Sequence, residues 1–272
     1  MANSWIGISG WRYASWRGSF YPPGLAQRRE LEFAGEQFDS VEINGSFYSL
    51  QRADSFERWA RETPDDFVFA VKGSRYVTHM LRMRGVEVAL ANFFAQGLLA
   101  LGPKLGPVLW QLPARQEFDA DQLDAFFSML PRTSADAAVL ARGHDARVKH
   151  PSVDLLTDQR IRYALEVRHE SFDDPAAFAL LERHDVSLVV ADTAGTFPDI
   201  RAVTSDHVYV RLHGDEELYT SGYSDDALDR WADAVRGWLA SGLDVYVYFD
   251  NDAKVRAPFD ALGLRRRVRG ET

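Results

Sequence analysis

The sequence predicts an α/β fold, a (β/α)₈ TIM-type barrel with a degenerate sixth βα unit, and three observations carry that prediction. Eight short β-rich runs alternate with segments of helical periodicity, which implies a parallel sheet with right-handed crossovers. The runs are nearly continuously apolar, as strands covered on both faces are. Their polar residues gather at one end, as at the working mouth of such a barrel.

The strands are expected near Trp5–Ser9, Ser40–Asn44, Phe67–Lys72, Val108–Leu112, Tyr163–Arg168, Ser187–Asp192, His207–His213 and Val245–Asp250. Between them, Asp225–Leu239 carries a one-sided apolar stripe of Leu228, Trp231, Val235, Trp238 and Leu239. Val86–Leu101 is apolar throughout and is followed by Gly102 and Pro103, so it is expected to be one buried helix. Asp54–Arg61 and Pro175–Arg183 supply two further helices, and Ala135–Arg142 an additional one. The stretch between the sixth and seventh strands is short and holds Gly195, Pro198 and Asp199, which argues against a full helix there. No linker or composition shift divides the chain, so residues 1–272 are read as one domain.

Composition narrows the function classes. With 46% hydrophobic and 26% charged residues the chain can bury a large core. The absence of cysteine removes disulfides, thiolate nucleophiles and Cys-ligated metal centres. The start has no basic and apolar leader pattern and no stretch is long enough to span a membrane, so a cytoplasmic protein without a membrane partner is expected. A formal net charge of −9 disfavours nonspecific nucleic-acid binding. The basic cluster Arg265, Arg266, Arg267 and Arg269 suits the negative end of a last helix.

The strand ends hold the candidate site. Because side chains alternate faces, Glu42 pairs in parity with Asn44, Glu166 with Arg168, and Arg211 with His213. Lys72, Gln111, Asp192 and Asp250 close four other strands. Four carboxylates here face three fixed cations, so one net negative charge is left when His213 is neutral. Glu42 and Glu166 are the acid/base candidates and His213 a proton shuttle or orienting donor. Lys72, Arg168 and Arg211 are expected to hold an anion. His79 is expected to reach toward the same mouth, and Trp11, Tyr13, Trp16, Phe47, Tyr48, Tyr219 and Tyr223 lie in loops where they can line a stacking wall. No metal-binding spacing is present, and three cations beside the carboxylates oppose a metal. No motif identifies a cofactor.

These motifs resemble a known family. Gly7-Ile-Ser-Gly-Trp-Arg-Tyr followed by Trp16 and Pro22, Val41-Glu-Ile-Asn-Gly-Ser-Phe-Tyr48, Val71-Lys72 with Thr78-His79, Gln111-Leu-Pro113, Glu166-Val-Arg-His169, Val210-Arg-Leu-His-Gly214 and Tyr248-Phe-x-Asn251 are similar to the YecE-like family, domain of unknown function 72. The resemblance runs nearly end to end and implies a TIM barrel. It supplies no reaction, and a kinship with endonuclease IV-type and sugar-isomerase barrels rests on fold alone. In the last strand Asp250-Asn251-Asp252 stands where that pattern has an Asn-Asn pair, so no role carries over to position 250; Asn251 stays a ligand-contact candidate.

Three readings follow. The first is an enzyme applying acid/base chemistry to a small anionic or sugar-like substrate. The second is an endonuclease IV-like protein that binds or processes nucleic acid. The third is a noncatalytic barrel that holds a metabolite. In any of them the balanced charges can also pair among themselves and cap the barrel.

Overall fold

The structure is a computed structural model and describes residues 2–271. Nine strands lie in one wholly parallel sheet: β1 Ser4–Ser9, β2 Ser40–Ile43, β3 Val68–Lys72, β4 Leu105–Gln111, β5 Tyr163–Glu166, β6 Val186–Leu188, β7 Val190–Asp192, β8 His207–Leu212 and β9 Asp244–Phe249. The order is β6-β5-β4-β3-β2-β1-β9-β8-β7. β6 and β7 are halves of the single sixth strand expected from the sequence, interrupted at Val189. The first half pairs with β5 and the second with β8, so the chain itself closes the ring into a TIM-type barrel.

Among the described residues the helices are α1 Glu30–Gln37, α2 Gly45–Tyr48, α3 Ala53–Arg61, α4 Glu87–Ala95, α5 Ala120–Ser128, α6 Ser134–Ala141, α7 Pro175–Arg183, α8 Asp225–Ala240 and α9 Ala257–Arg269. None is long and apolar enough to cross a membrane. No helix follows β7, so the sixth unit is degenerate as expected. In α8 the stripe Leu228, Trp231 and Val235 is buried, and the Ser224 hydroxyl caps the helix by accepting from Ala227 N. The C-terminal arginines are engaged in surface pairs: Arg265 and Arg269 with Asp39, and Arg267 with Asp225 and Asp229.

The segment Val86–Leu101 corrects one expectation. It is not one helix: α4 ends at Ala95, Gly97 adopts φ 113°, and 3₁₀ turns over Leu98–Lys104 follow. Uniform apolarity hides this break, because periodicity cannot register a backbone that turns while staying buried.

Two apolar layers result. The outer one lies between sheet and helices and includes Ile6, Ile8, Val41, Ile43, Leu90, Phe93, Val208 and Leu264. The inner one fills the barrel with small residues, Ala70, Ala164 and Ala191, set among Tyr209, Tyr246 and Tyr248. Tyrosines bring hydroxyls that need partners when buried: Tyr248 pairs with Ser40 at 2.7 Å, and Tyr209 donates upward to Glu42 at 2.6 Å. The interior thus becomes more polar toward the C-terminal strand ends.

Gly97 offers a direct test of the α4 break. A Cβ at this position would lie 2.5 Å from Ala53 Cα on α3, in a backbone conformation that L-residues disfavour. Gly97→Ala is expected to lower unfolding stability by about 2 kcal/mol or more. Urea denaturation checks this, and a loss near zero would mean that α4 and α3 do not meet this closely.

Candidate functional site

Arg211, from β8, lies fully buried at the centre of the barrel and meets three carboxylates. Its Nε donates to Glu42 Oε2 at 3.1 Å and its Nη2 to Glu42 Oε1 at 2.9 Å, a two-point contact with β2. Nη1 donates to Glu166 Oε2 at 2.7 Å at the end of β5, and Nη2 also reaches Asp250 Oδ2 at 2.8 Å after β9. A planar guanidinium suits this geometry because its donors fan out in one plane. It occupies the point where the carboxylates converge, where a metal ion would otherwise have to sit.

The remaining acceptor positions are filled as well. Glu42 accepts from the Ser9 hydroxyl and from Tyr209, and Ser9 in turn accepts from Asn44 Nδ2 at 2.6 Å. Glu166 accepts from Gln111 Nε2 at 2.8 Å and from Arg168 Nε and Nη2, each at 3.2 Å. Both glutamates are 0% exposed. Burial opposes the charged form of Glu166, but Arg211, His213 and Arg168 hold its carboxyl well below the usual range. The same competition, with Arg211, His213 and Lys72 as the opposing cations, keeps Asp250 below its ordinary value.

His213 closes this buried layer. Its Nε2 lies 3.6 Å from Glu166 Oε1 and its Nδ1 3.2 Å from Asp250 Oδ2, the latter out of line for a hydrogen bond. Burial and Arg211 oppose its protonation, yet Asp250 and Glu166 outweigh them and raise its pKa. Gly214, at φ 129°, lets the chain turn directly after it; a Cβ there would lie 2.4 Å from Glu217 O. The turn brings Tyr219 back over the imidazole, edge to face at 5.2 Å, where its hydroxyl accepts from Arg168 at 3.1 Å.

Above this layer opens a cavity of about 780 Å³, within the usual range for small-molecule sites. Lys72, Arg75, His79 and Arg168 line it together with Tyr13, Asp250 and Asp252. Lys72 is only 7% exposed, and its ammonium sits 4.4 Å from the centre of the Phe47 ring. Among the described residues no carboxylate or carbonyl pairs with it within hydrogen-bond distance. Burial and Arg211 lower its pKa, against the pull of Glu42, Glu166 and Asp250. His79, carried on a π-helical turn Tyr76–Met80 after β3, has its pKa lowered by burial and then by Arg168, Lys72 and Arg75. π-helical turns recur at functional sites because they re-aim a side chain.

The expected site residues therefore separate into groups. Asn44, Tyr48, Lys72, His79, Gln111 and Arg168 line the cavity, whereas Glu42, Glu166, Arg211 and His213 form the layer beneath it. Trp11 lines a smaller adjoining hollow. Asp192, Tyr223 and Asn251 sit elsewhere. Ala191, not Asp192, faces the barrel interior, and burial raises the Asp192 pKa beside Tyr223 and Trp231. Tyr223 accepts from Gly214 N at 3.1 Å, and Asn251 donates to Ser221 O and Asp260, so both brace the loop after β8. Without Asp192, three carboxylates face Arg211, Arg168 and Lys72, so the cluster is neutral when His213 is neutral. Sequence reasoning missed Ser9, Tyr209, Arg75, Met80 and Asp252. Ser9 and Tyr209 were open to a parity argument, since Ser9 ends β1 and Tyr209 stands two residues before Arg211.

Replacing Arg211 tests the layer. Arg211→Met leaves three carboxylates without their shared cation and is expected to cost about 3–5 kcal/mol at pH 7. Glu166 and Asp250 have depressed folded-state pKa values, so their stabilisation is present above the ordinary carboxyl pKa and lost as pH falls toward the folded values. The deficit of the variant should therefore shrink on acidification below about pH 4. Urea melts of both proteins across that range measure it, and a pH-independent deficit would contradict the assignment.

Comparison with known proteins agrees with this architecture. A family model described as "Protein of unknown function DUF72" matches residues 5–272. The UPF0759 protein YunF of Bacillus subtilis (strain 168) is 26% identical over 278 residues, covering 92% of this chain and 89% of YunF. The UPF0759 protein YecE of Escherichia coli (strain K12) is 26% identical over 147 residues, 54% of this chain and 48% of YecE. The crystal structure of a DUF72 family protein from Thermotoga maritima MSB8 superposes with a TM-score of 0.78 at 26% identity, covering 98% of this chain and 99% of that one. A DUF72 family protein from Enterococcus faecalis V583 shares the fold at a TM-score of 0.74 and 15% identity, over 98% and 95% of the two chains. With its family model matched almost end to end, the chain belongs to the DUF72 family of proteins of unknown function.

Proposed function

We propose that the barrel mouth is the active site of an enzyme that binds a small anionic, hydroxyl-bearing substrate and moves a proton on it. The observation that carries this reading is Lys72, a nearly buried ammonium that faces a cavity and has no carboxylate or carbonyl within hydrogen-bond distance among the described residues. A buried charge normally finds a partner within the protein. Here the free position is in the cavity, and Arg75, His79 and Arg168 face the same space. An anion bound among them completes the charge pairing. The amides of Asn44 and Gln111, together with Asp250 and Asp252, offer donors and acceptors suited to hydroxyl groups.

Proton transfer falls to the groups that reach the cavity. Lys72, its proton affinity reduced by burial and by Arg211, is poised to give up or take a proton, and Asp250 is an ionised carboxylate at the edge of the same space. Glu42 and Glu166 have their oxygens occupied by Arg211, Arg168, Ser9, Tyr209 and Gln111. Their part, with His213, is to position Arg211 and Arg168 and to set the field around Lys72 and Asp250. This reading moves the acid/base work from the buried glutamates to the residues above them.

The test is differential thermal stabilisation. Small phosphorylated or carboxylated metabolites at millimolar concentration should raise Tm, while neutral sugars should leave it unchanged; binding at a hundredfold excess over Kd stabilises by about 2.7 kcal/mol. Lys72→Met should abolish the response while remaining folded, since no hydrogen-bond partner is stranded and Asp250 keeps Arg211. Failure of every anion to shift Tm, or an undiminished response in Lys72→Met, would count against the proposal.

A further inference from the structure

The hollow that Trp11 lines is not a separate feature. It measures about 280 Å³, and Tyr13, Asn44 and Tyr48 line both it and the main cavity. These three residues form a waist between two lobes. On the far side of the waist the lining changes character: Trp11 and Trp59 meet edge to face at 5.2 Å, with Ile43 and Gly45 beside them and the Gln51 amide against Gly45. Charged side chains gather in the first lobe, whereas the second is mainly aromatic and apolar, with Arg12 as its one charged lining residue.

We infer that the second lobe is a subsite for an aromatic ring, and that the substrate is a bipartite molecule with an anionic head in the lobe of Lys72 and a planar ring against Trp11. This inference rests on the anion-binding reading above and specifies its substrate class. Size supports it, because a cavity of about 150 Å³ already holds benzene. The wall chemistry supports it too, since indole and phenol faces form offset or edge contacts with a second ring. Tyr48 stands at the waist with 68% of its surface exposed, free to close over a ring that enters. Gly45 keeps the lobe open: the three atoms nearest to a Cβ there belong to the flexible Gln51 side chain, at 3.3–3.4 Å.

The experiment compares inorganic phosphate with phenyl phosphate by isothermal titration calorimetry on the full chain. Burial of the ring should make phenyl phosphate about tenfold tighter or more. Gly45→Leu, which fills the lobe, should erase that advantage and leave the affinity for phosphate unchanged. Tyr48→Ala alters an exposed wall, and so serves if Gly45→Leu does not fold; it should cut the advantage severalfold. If phosphate binds but phenyl phosphate binds no tighter, or if its advantage survives in a folded Gly45→Leu, the aromatic subsite is refuted while the anion site stands. If neither ligand binds, both fall together.

Discussion

The Arg211 guanidinium is the constraint on which the upper half of the barrel depends. From β8 it reaches Glu42 on β2, Glu166 on β5 and Asp250 beyond β9, so one side chain ties together strands from around the ring. A barrel filled with small residues and tyrosines at mid-height has to manage a change toward polar groups at its mouth. Arg211 makes that change tolerable, because its donors satisfy carboxylates that would otherwise be buried and repelling one another. The hydroxyls of Ser9 and Tyr209 and the amide of Gln111 then take up the acceptor positions that remain.

Saturation below creates an opening above. Because Glu42 and Glu166 are fully engaged by other donors, they offer no direct partner to Lys72, although their fields reach it. The ammonium is left beside an aromatic ring at the floor of the cavity. The network thereby leaves a cation that the carboxylates balance only through their field, with its hydrogen-bonding positions turned to the cavity. His213 adds a degree of freedom to this arrangement, since the carboxylates raise its proton affinity and its protonation takes the cluster from neutral to singly positive.

Much of this was legible in the chain. Parity brought Glu42, Glu166, Arg211 and His213 to one mouth because strand alternation is rigid enough to survive small errors in strand ends. The missing sixth helix could be read from Gly195 and Pro198. Depth was not legible. Whether a strand-end residue lines the cavity or lies one layer beneath it depends on barrel tilt and stagger, which relate strands far apart in sequence. Asp192 was misplaced for a different reason: it was taken as a strand end without its parity, and the alternation that turns Val189 and Ala191 inward runs straight through the interruption and leaves Asp192 on the outer face. Gly97 shows the complementary limit, since only the proximity of Ala53 reveals why the helix must end there.

That divided sixth strand has a mechanical consequence. β6 and β7 have three residues each, each pairs with one neighbour only, and no helix covers the stretch after them. The ring therefore has a seam held by few backbone hydrogen bonds, next to walls held by many. Arg211 on β8 bonds Glu166 at the end of β5, and these are the two strands that flank the seam, so the guanidinium fastens the weak point of the ring from inside while its contact with Glu42 on β2 anchors it to the far wall. Separation of the two halves at Val189 would therefore pull against the Arg211–Glu166 contact, which couples the integrity of the seam to the floor of the cavity.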